Sequence, residues 1–316
     1  MDLGQQLACL LGNFDELSPR IRHLNYNTDA CGDRIEVRCN YISFRDDAPT
    51  VDDFVDVISD HIVPFCLPRK EIREAQDELA NGDHVKAGRI MRALSERARR
   101  LFMKAKRGSG RSGEAGEIAL YILNEWVLTA PQIVSKMYLK TNNNMPVHGT
   151  DGIHARYDEA KKKLYLYWGE SKAHKTLSSA LNDALDSIKK FIEDEQQQRE
   201  IEIISAYPDF DGLSEETQKA FLKYLDPYHE DSGDRVPVFS CLLIHEFKIP
   251  KGKSGEVEAS YVEKVNASMQ KFIDSIQSKI SDNGLETSRF EFFLLPVPSV
   301  QVLRDKFQKK IGWSDD

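Results

Sequence analysis

Two carboxylates and an ammonium carry the most chemistry in this chain, and they fall within His148 to Lys172, HGTDGIHARYDEAKKKLYLYWGESK. Asp151 sits between two glycine-containing turns, and Glu170 and Lys172 follow the aromatic run LYLYW, which has the composition of a buried strand. In a strand, residues two apart share a face, so Glu170 and Lys172 point the same way as Leu164, Leu166 and Trp168. Charged groups projecting from the end of an apolar face are costly to desolvate and need compensation. A divalent cation shared with a second carboxylate would supply it, and Asp151 is placed to be that carboxylate.

Such a set suits phosphodiester hydrolysis. Two carboxylates bind a hard cation such as Mg²⁺, or Mn²⁺, through oxygen while leaving water positions open. The cation polarises the phosphodiester and helps form a hydroxide nucleophile. A nearby lysine orients or deprotonates that water and offsets charge on phosphorus. The plainer alternative is a strand-end salt bridge between Glu170 and Lys172, with Asp151 in a solvated turn. Asp followed by Glu-x-Lys does not by itself separate the two.

The elements around these residues decide how they are held. Gly113 to Trp126 reads as a helix with the stripe Ala115, Ile118, Ala119, Ile122, Leu123 and Trp126. Glu114 lies beside that stripe, and by the same count Glu117 lies opposite. Either is a third ligand for the cation, or a complement to the helix dipole, which favours acids in a first turn. Ser135 to His154 reads as a short strand, KMYLK, followed by a turn-rich loop. Lys136, Lys140 and the three asparagines either line a phosphate path or form plain loop surface. His148, His154 and His174 surround the motif, but their spacing fits no HExxH pattern, so they are assigned places outside the ligand set.

After Lys172 the periodicity turns helical at Leu177, Leu181, Leu185, Ile188, Phe191 and Ile192, ending in the polar run Glu193 to Glu200. IEIISAYP, VPVFSCLLIHEFKIP and RFEFFLLPVP read as strands, separated by helices near Glu215–Leu225 and Val257–Ile280, with a last helix from Val300 to Ile311. Strands alternating with helices predict an α/β sheet sandwiched by helices.

The first hundred residues read as mixed α and β without a catalytic constellation. Arg34 to Phe44 alternates as a strand, Thr50 caps a helix from Val51 to about Val63, and Pro64 and Pro68 break the chain before a charged helix from Arg69 to Leu79. A second helix, capped by Asp83, has the stripe Ile90, Met91, Leu94, Ala98, Leu101 and Phe102. Between Lys86 and Arg111 there are ten basic residues and one acidic residue, Glu96. Its Arg89, Arg92, Arg99 and Arg100 either contact phosphates or form a solvated face neutralised by Glu96. We read residues 1–107 as an α+β docking or regulatory module and 108–316 as the catalytic domain, divided at the Gly108–Gly113 run.

Composition sets the class. With 316 residues, 41% hydrophobic and 30% charged, the chain is expected to be soluble and globular. Its net charge of −8 argues against coating nucleic acid broadly, though not against a local basic groove. Five cysteines without a CxxC pair predict reduced thiols, hence a cytoplasmic protein, and no zinc site. No membrane-spanning run or secretory leader is expected.

GEAGE, then HGTDGIH, then GESK at a strand end resembles the PD-(D/E)XK nuclease superfamily, with Thr150 where that family carries proline. More narrowly, SKM-LKT-NNMPVHGTDGIH with GESK resembles the HamA family, nuclease-like subunits of the bacterial Hachiman anti-phage system, over most of Gly113 to Lys190. The resemblance implies a PD-(D/E)XK-like mixed central sheet flanked by helices. It implies Asp151 and Glu170 as Mg²⁺ ligands, a helix glutamate completing the set, and Lys172 serving the attacking water. Family spacing after Gly113 favours Glu117 for that helix ligand, whereas helical phase favours Glu114. It further implies DNA as substrate and a HamB-like helicase as partner. The expectation is therefore a metal-dependent DNA endonuclease effector of anti-phage defence, restrained until a helicase senses DNA. The alternatives are a DNA-docking and signalling subunit that cuts nothing, and an RNA-cutting nuclease.

Overall fold

The computed structural model describes residues 2–24, 33–106, 113–139 and 149–313, and the backbone alone of Ala105, Lys106 and Glu114. His148, Lys140, the three asparagines and most of the Gly108–Gly113 run lie outside these residues.

The strand bearing Glu170 and Lys172 is β6, Lys163–His174, and its alternation builds both layers of the protein. Leu164, Leu166 and Trp168 bury on one face, Tyr167 on the other. Apolar residues on both faces mark an interior strand. Its neighbours are β5 (Gly152–Asp158), antiparallel at the sheet edge, and β7 (Arg235–Glu246), parallel. Beyond β7 come β8 (Phe290–Val297) and β2 (Ile35–Ile42), both parallel, and β1 (Ile21–Leu24), antiparallel at the far edge. The result is a six-stranded mixed sheet in the order β1-β2-β8-β7-β6-β5. The small ribbon of β3 (Phe44–Arg45) and β4 (Ala48–Pro49) stands apart from it.

Helices cover both faces, as the sequence predicts. One face packs against α8 (Leu177–Glu193), α9 (Gln196–Ala206), α10 (Glu215–Lys223) and α11 (Val257–Asp282), with α1 (Leu3–Ala8) at its margin. The other packs against α2 (Val51–Asp60), α3 (Ile62–Cys66), α5 (His84–Lys106), α6 (Glu114–Trp126) and α12 (Val300–Ile311). Helix α4 (Arg69–Ala80) packs on α5, where Glu71 pairs with Arg97. Among the described residues no helix is long and apolar enough to cross a membrane.

Several expectations change. IEIISAYP is the helix α9, because Ile201 and Ile204 bury at a helical interval and the preceding glutamines begin the helix rather than ending one. KMYL, the described part of KMYLK, is a single helical turn, α7 (Lys136–Leu139). Lys136 is neither surface nor phosphate path: it is 2% exposed. Thr50 occupies the N-cap position of α2 without a capping bond, its hydroxyl donating instead to Ser43 O at 3.0 Å. Pro64 lies inside α3, in the first turn, where a missing N–H costs nothing. Met91 leaves the predicted stripe of α5 for solvent, while Ala87 buries. Asp83 caps α5 as expected, its Oδ1 accepting from Lys86 N at 2.9 Å.

The parts on either side of residue 108 share one sheet. β2 pairs with β8 from Ile35 opposite Phe290 to Cys39 opposite Leu294. Phe54, Phe65 and Phe102 sit in one cluster with Ile118, Leu242 and Phe307.

Candidate functional site

The β5–β6 ladder sets the site. Gly152 stands opposite Gly169, so one further step of that register brings Asp151 beside Glu170. Asp151 is anchored there twice: its N–H donates to Gly169 O at 2.8 Å, and its Oδ2 accepts from Ser171 N at 2.8 Å. Glu170 Oε1 lies 2.8 Å from Lys172 Nζ, the same-face partner expected from strand periodicity. Glu170 and Lys172 on β6 and Asp151 just before β5 are thus brought together.

Their electrostatics follow from burial. Burial pushes the Glu170 carboxyl up, and the Asp151 charge adds to this; Lys172 and the Ser187 hydroxyl oppose both. Burial alone would lower the Lys172 ammonium, but Glu170, Asp183 and Asp151 outweigh it and hold it raised. A carboxylate strained by its neighbour and an ammonium held charged are the pair a cation or a phosphate group would perturb.

Helix α8 contributes residues that sequence reasoning passes over. Asp183 Oδ1 lies 3.7 Å from Lys172 Nζ, and its Oδ2 lies 2.9 Å from His174 Nε2. Ser187 bonds to Glu170, and Lys190 lines the same open cleft of about 240 Å³ as Glu170, Thr150 and Gln196. Asp183, Ser187 and Lys190 recur at intervals of four and three, which is one helix face. That polar stripe beside an apolar one is the signal the sequence offers.

The HamA family model matches residues 19–311. The chain belongs to the HamA family. Because the match runs from just before β1 to the end of α12, the HamA assignment covers the whole sheet, not only the Asp151–Lys172 segment. HamA membership supports a role in Hachiman anti-phage defence. No curated protein matches the chain.

The helix glutamates of this HamA chain are placed differently from each other. Glu114 begins α6, and its side chain lies outside the described residues. Glu117 is 5% exposed. Its opposition to the buried stripe has no consequence, because the described side chains of α6 from Ala115 to Glu125 are all buried. The helix lies close on β6: a Cβ on Gly116 would come within 2.2 Å of Ser171 Oγ, and one on Gly169 would meet Leu120 at 3.2 Å. Glu117 sits on the helix that packs across β5, β6 and β7. Among the described residues no group of three His, Cys, Asp or Glu side chains stands ready to hold a metal ion.

His154 is removed from this chemistry. It faces α6, with Nδ1 3.3 Å from Asn124 Nδ2 and its ring 5.9 Å from that of Tyr121. Burial first, then Arg69, lower its pKa to about 3. The unfolded chain binds that proton below about pH 6.5 while the native chain does not, so stability is lost as pH falls. A His154→Asn variant should escape this, gaining on its parent by about 2 kcal/mol at pH 5 relative to pH 8. Urea melts of both proteins at the two pH values check it, and parallel pH profiles would refute it.

Proposed function

We propose that this HamA protein is a metal-dependent endonuclease acting on DNA, and that a helicase partner restrains it. The observation that carries the proposal is the meeting of Asp151, Glu170 and Lys172 at one strand end, with the Glu170 carboxyl pushed up by burial and by Asp151. Two facing carboxylates offer the oxygen donors that Mg²⁺ takes when it retains several waters, so the residues fit the ion. Asp151 and Glu170 would hold it, joined by the helix glutamate Glu117 or Glu114. When bound, it would polarise the phosphodiester and lower the pKa of a water molecule.

The remaining work falls to the chain. Lys172, kept protonated and anchored on its far side by Asp183, stabilises negative charge growing on the phosphate oxygens. Asp183 also gives the ammonium a second carboxylate once Glu170 is engaged elsewhere. Lys190, on the open side of the cleft, offers a contact for a neighbouring backbone phosphate. The exposed Arg89, Arg92 and Arg100 of α5 add a basic surface for backbone phosphates.

A second reading has its own observation. The Glu170–Lys172 pair is closed at 2.8 Å, as in a subunit that keeps a nuclease-like site but only docks on nucleic acid. One assay separates the readings: supercoiled plasmid, and a matched RNA, incubated with the pure protein in Mg²⁺ or EDTA, with and without a helicase partner. Nicking in Mg²⁺ and none in EDTA is expected, with calorimetry showing weaker Mg²⁺ binding by Asp151→Asn, since an amide binds a hard cation less well. No cleavage of either substrate under any condition would leave the docking reading.

A further inference from the structure

We infer that Lys136 and Glu200 are positioning residues for Asp151, fixing the turn that presents its carboxylate; this rests on the role given to Asp151 above. Lys136 belongs to α7, 14 residues before Thr150, and Glu200 to α9, 50 residues after it. Their side chains are 2% and 1% exposed, with Lys136 Nζ 2.6 Å from Glu200 Oε1. Charges withdrawn from water this far are costly, and apolar residues of similar volume often join elements as well or better. The pair is explained by what else its atoms hold.

Lys136 Nζ also donates to Thr150 O at 2.6 Å and to Thr150 Oγ1 at 3.3 Å. Glu200 Oε1 accepts from the Thr150 N–H at 3.3 Å. All three polar groups of the residue before Asp151 therefore end on one buried ion pair. Gly149 makes the approach possible: its φ is +119°, and a Cβ there would come within 2.2 Å of Glu200 Oε1. On the other side, Asp151 is bonded to Gly169 and Ser171 of β6. The turn is thus held from two directions, by α7 and α9 through Thr150 and by β6 through Asp151 itself. With the first hold gone, only the bonds to β6 remain, and the turn gains freedom that shifts the carboxylate from its place against Glu170. A displacement of about 1 Å in a reacting constellation costs on the order of a hundredfold in rate.

The test is the double variant Lys136→Met with Glu200→Leu, which removes both charges together and so leaves neither buried alone. Amide hydrogen exchange is read at Thr150 and Asp151, alongside melting temperature and plasmid nicking in Mg²⁺. The expected result is a folded protein melting near its parent, with exchange at those two amides at least about tenfold faster and β7 unchanged. Nicking should fall at least about tenfold in kcat with KM for DNA unaltered. Unchanged exchange at Thr150 and Asp151 in the folded double variant overturns the inference, whatever happens to DNA. Faster exchange in a protein whose parent neither binds Mg²⁺ nor nicks DNA upholds the positioning role and refutes the nuclease reading instead. If the double variant does not fold, Glu200→Gln, which keeps shape and loses charge, is read by the same exchange criterion.

Discussion

Glu170→Gln should lose at least about a hundredfold in DNA cleavage while becoming no less stable, and Lys172→Met should lose a comparable factor. The two halves of the first result have one cause. Glu170 is half-buried beside Asp151, and both effects push its carboxyl above the ordinary range. A folded-state pKa raised above the unfolded value means that the native state prefers the proton. Stability is therefore present below the ordinary carboxyl range and is lost as pH rises through the raised value. Glutamine has no charge to accommodate, so its advantage over the parent should grow as pH rises above about 4.5, on the order of 1 kcal/mol for each pH step of one until the raised value is passed. Lys172→Met has no such compensation, since it leaves Glu170 and Asp183 facing each other without the ammonium between them. Plasmid nicking in Mg²⁺ and thermal melts at pH 5 and pH 8 decide the matter. Undiminished nicking by either folded variant would remove these residues from the active site. A Glu170→Gln protein less stable than its parent at pH 8 would show that the Lys172 pair outweighs the strain.

Where local pattern and tertiary demand agree, the sequence is legible. The strands β6, β7 and β8 are apolar runs too rich in aromatic and β-branched residues for anything else, and α12 has both a serine cap and a glycine stop. The site follows from the same logic, because period two alone puts Glu170 and Lys172 on one face. Other features need the third dimension. IEIIS alternates like a strand and repeats like a helix, and its burial against β-sheet residues decides the outcome. Lys136 resembles a loop lysine because its partner Glu200 lies in a separate helix. The polar stripe of Asp183, Ser187 and Lys190 is readable in the sequence, but only α8 packed beside the end of β6 shows that Asp183 reaches Lys172. Helical phase cannot sort Glu114 from Glu117, because the described side chains of α6 from Ala115 to Glu125 are all buried and no exposed face remains to contrast with the stripe.

A chain beginning at Gly108 should fail to fold, although composition alone invites a domain boundary there. Removing residues 1–107 strips β1 and β2 from the sheet and leaves the β8 backbone without its parallel partner from Phe290 to Leu294. An exposed interior edge of that kind invites pairing between chains. The loss of core is as severe. Phe54, Ile58, Phe65, Leu67 and Phe102 pack with α6, α12 and the sheet in a single cluster. Five such side chains contribute roughly 10 kcal/mol by burial alone, comparable to the whole stability of an ordinary domain. Arg69 adds polar links, reaching Asp209 at 2.9 Å and Gln132 O at 2.8 Å across the same division. The expected result is an aggregating protein without a cooperative thermal transition, read by circular dichroism and size-exclusion chromatography. A cooperative melt from the truncated chain would show two independent domains. The consequence for a partner's docking face is direct: deletion would abolish binding by unfolding the chain, and so would say nothing about contact. Charge-reversing substitutions of the exposed Arg89, Arg92 and Arg100 on α5 leave the cluster intact and test that surface without disturbing the sheet.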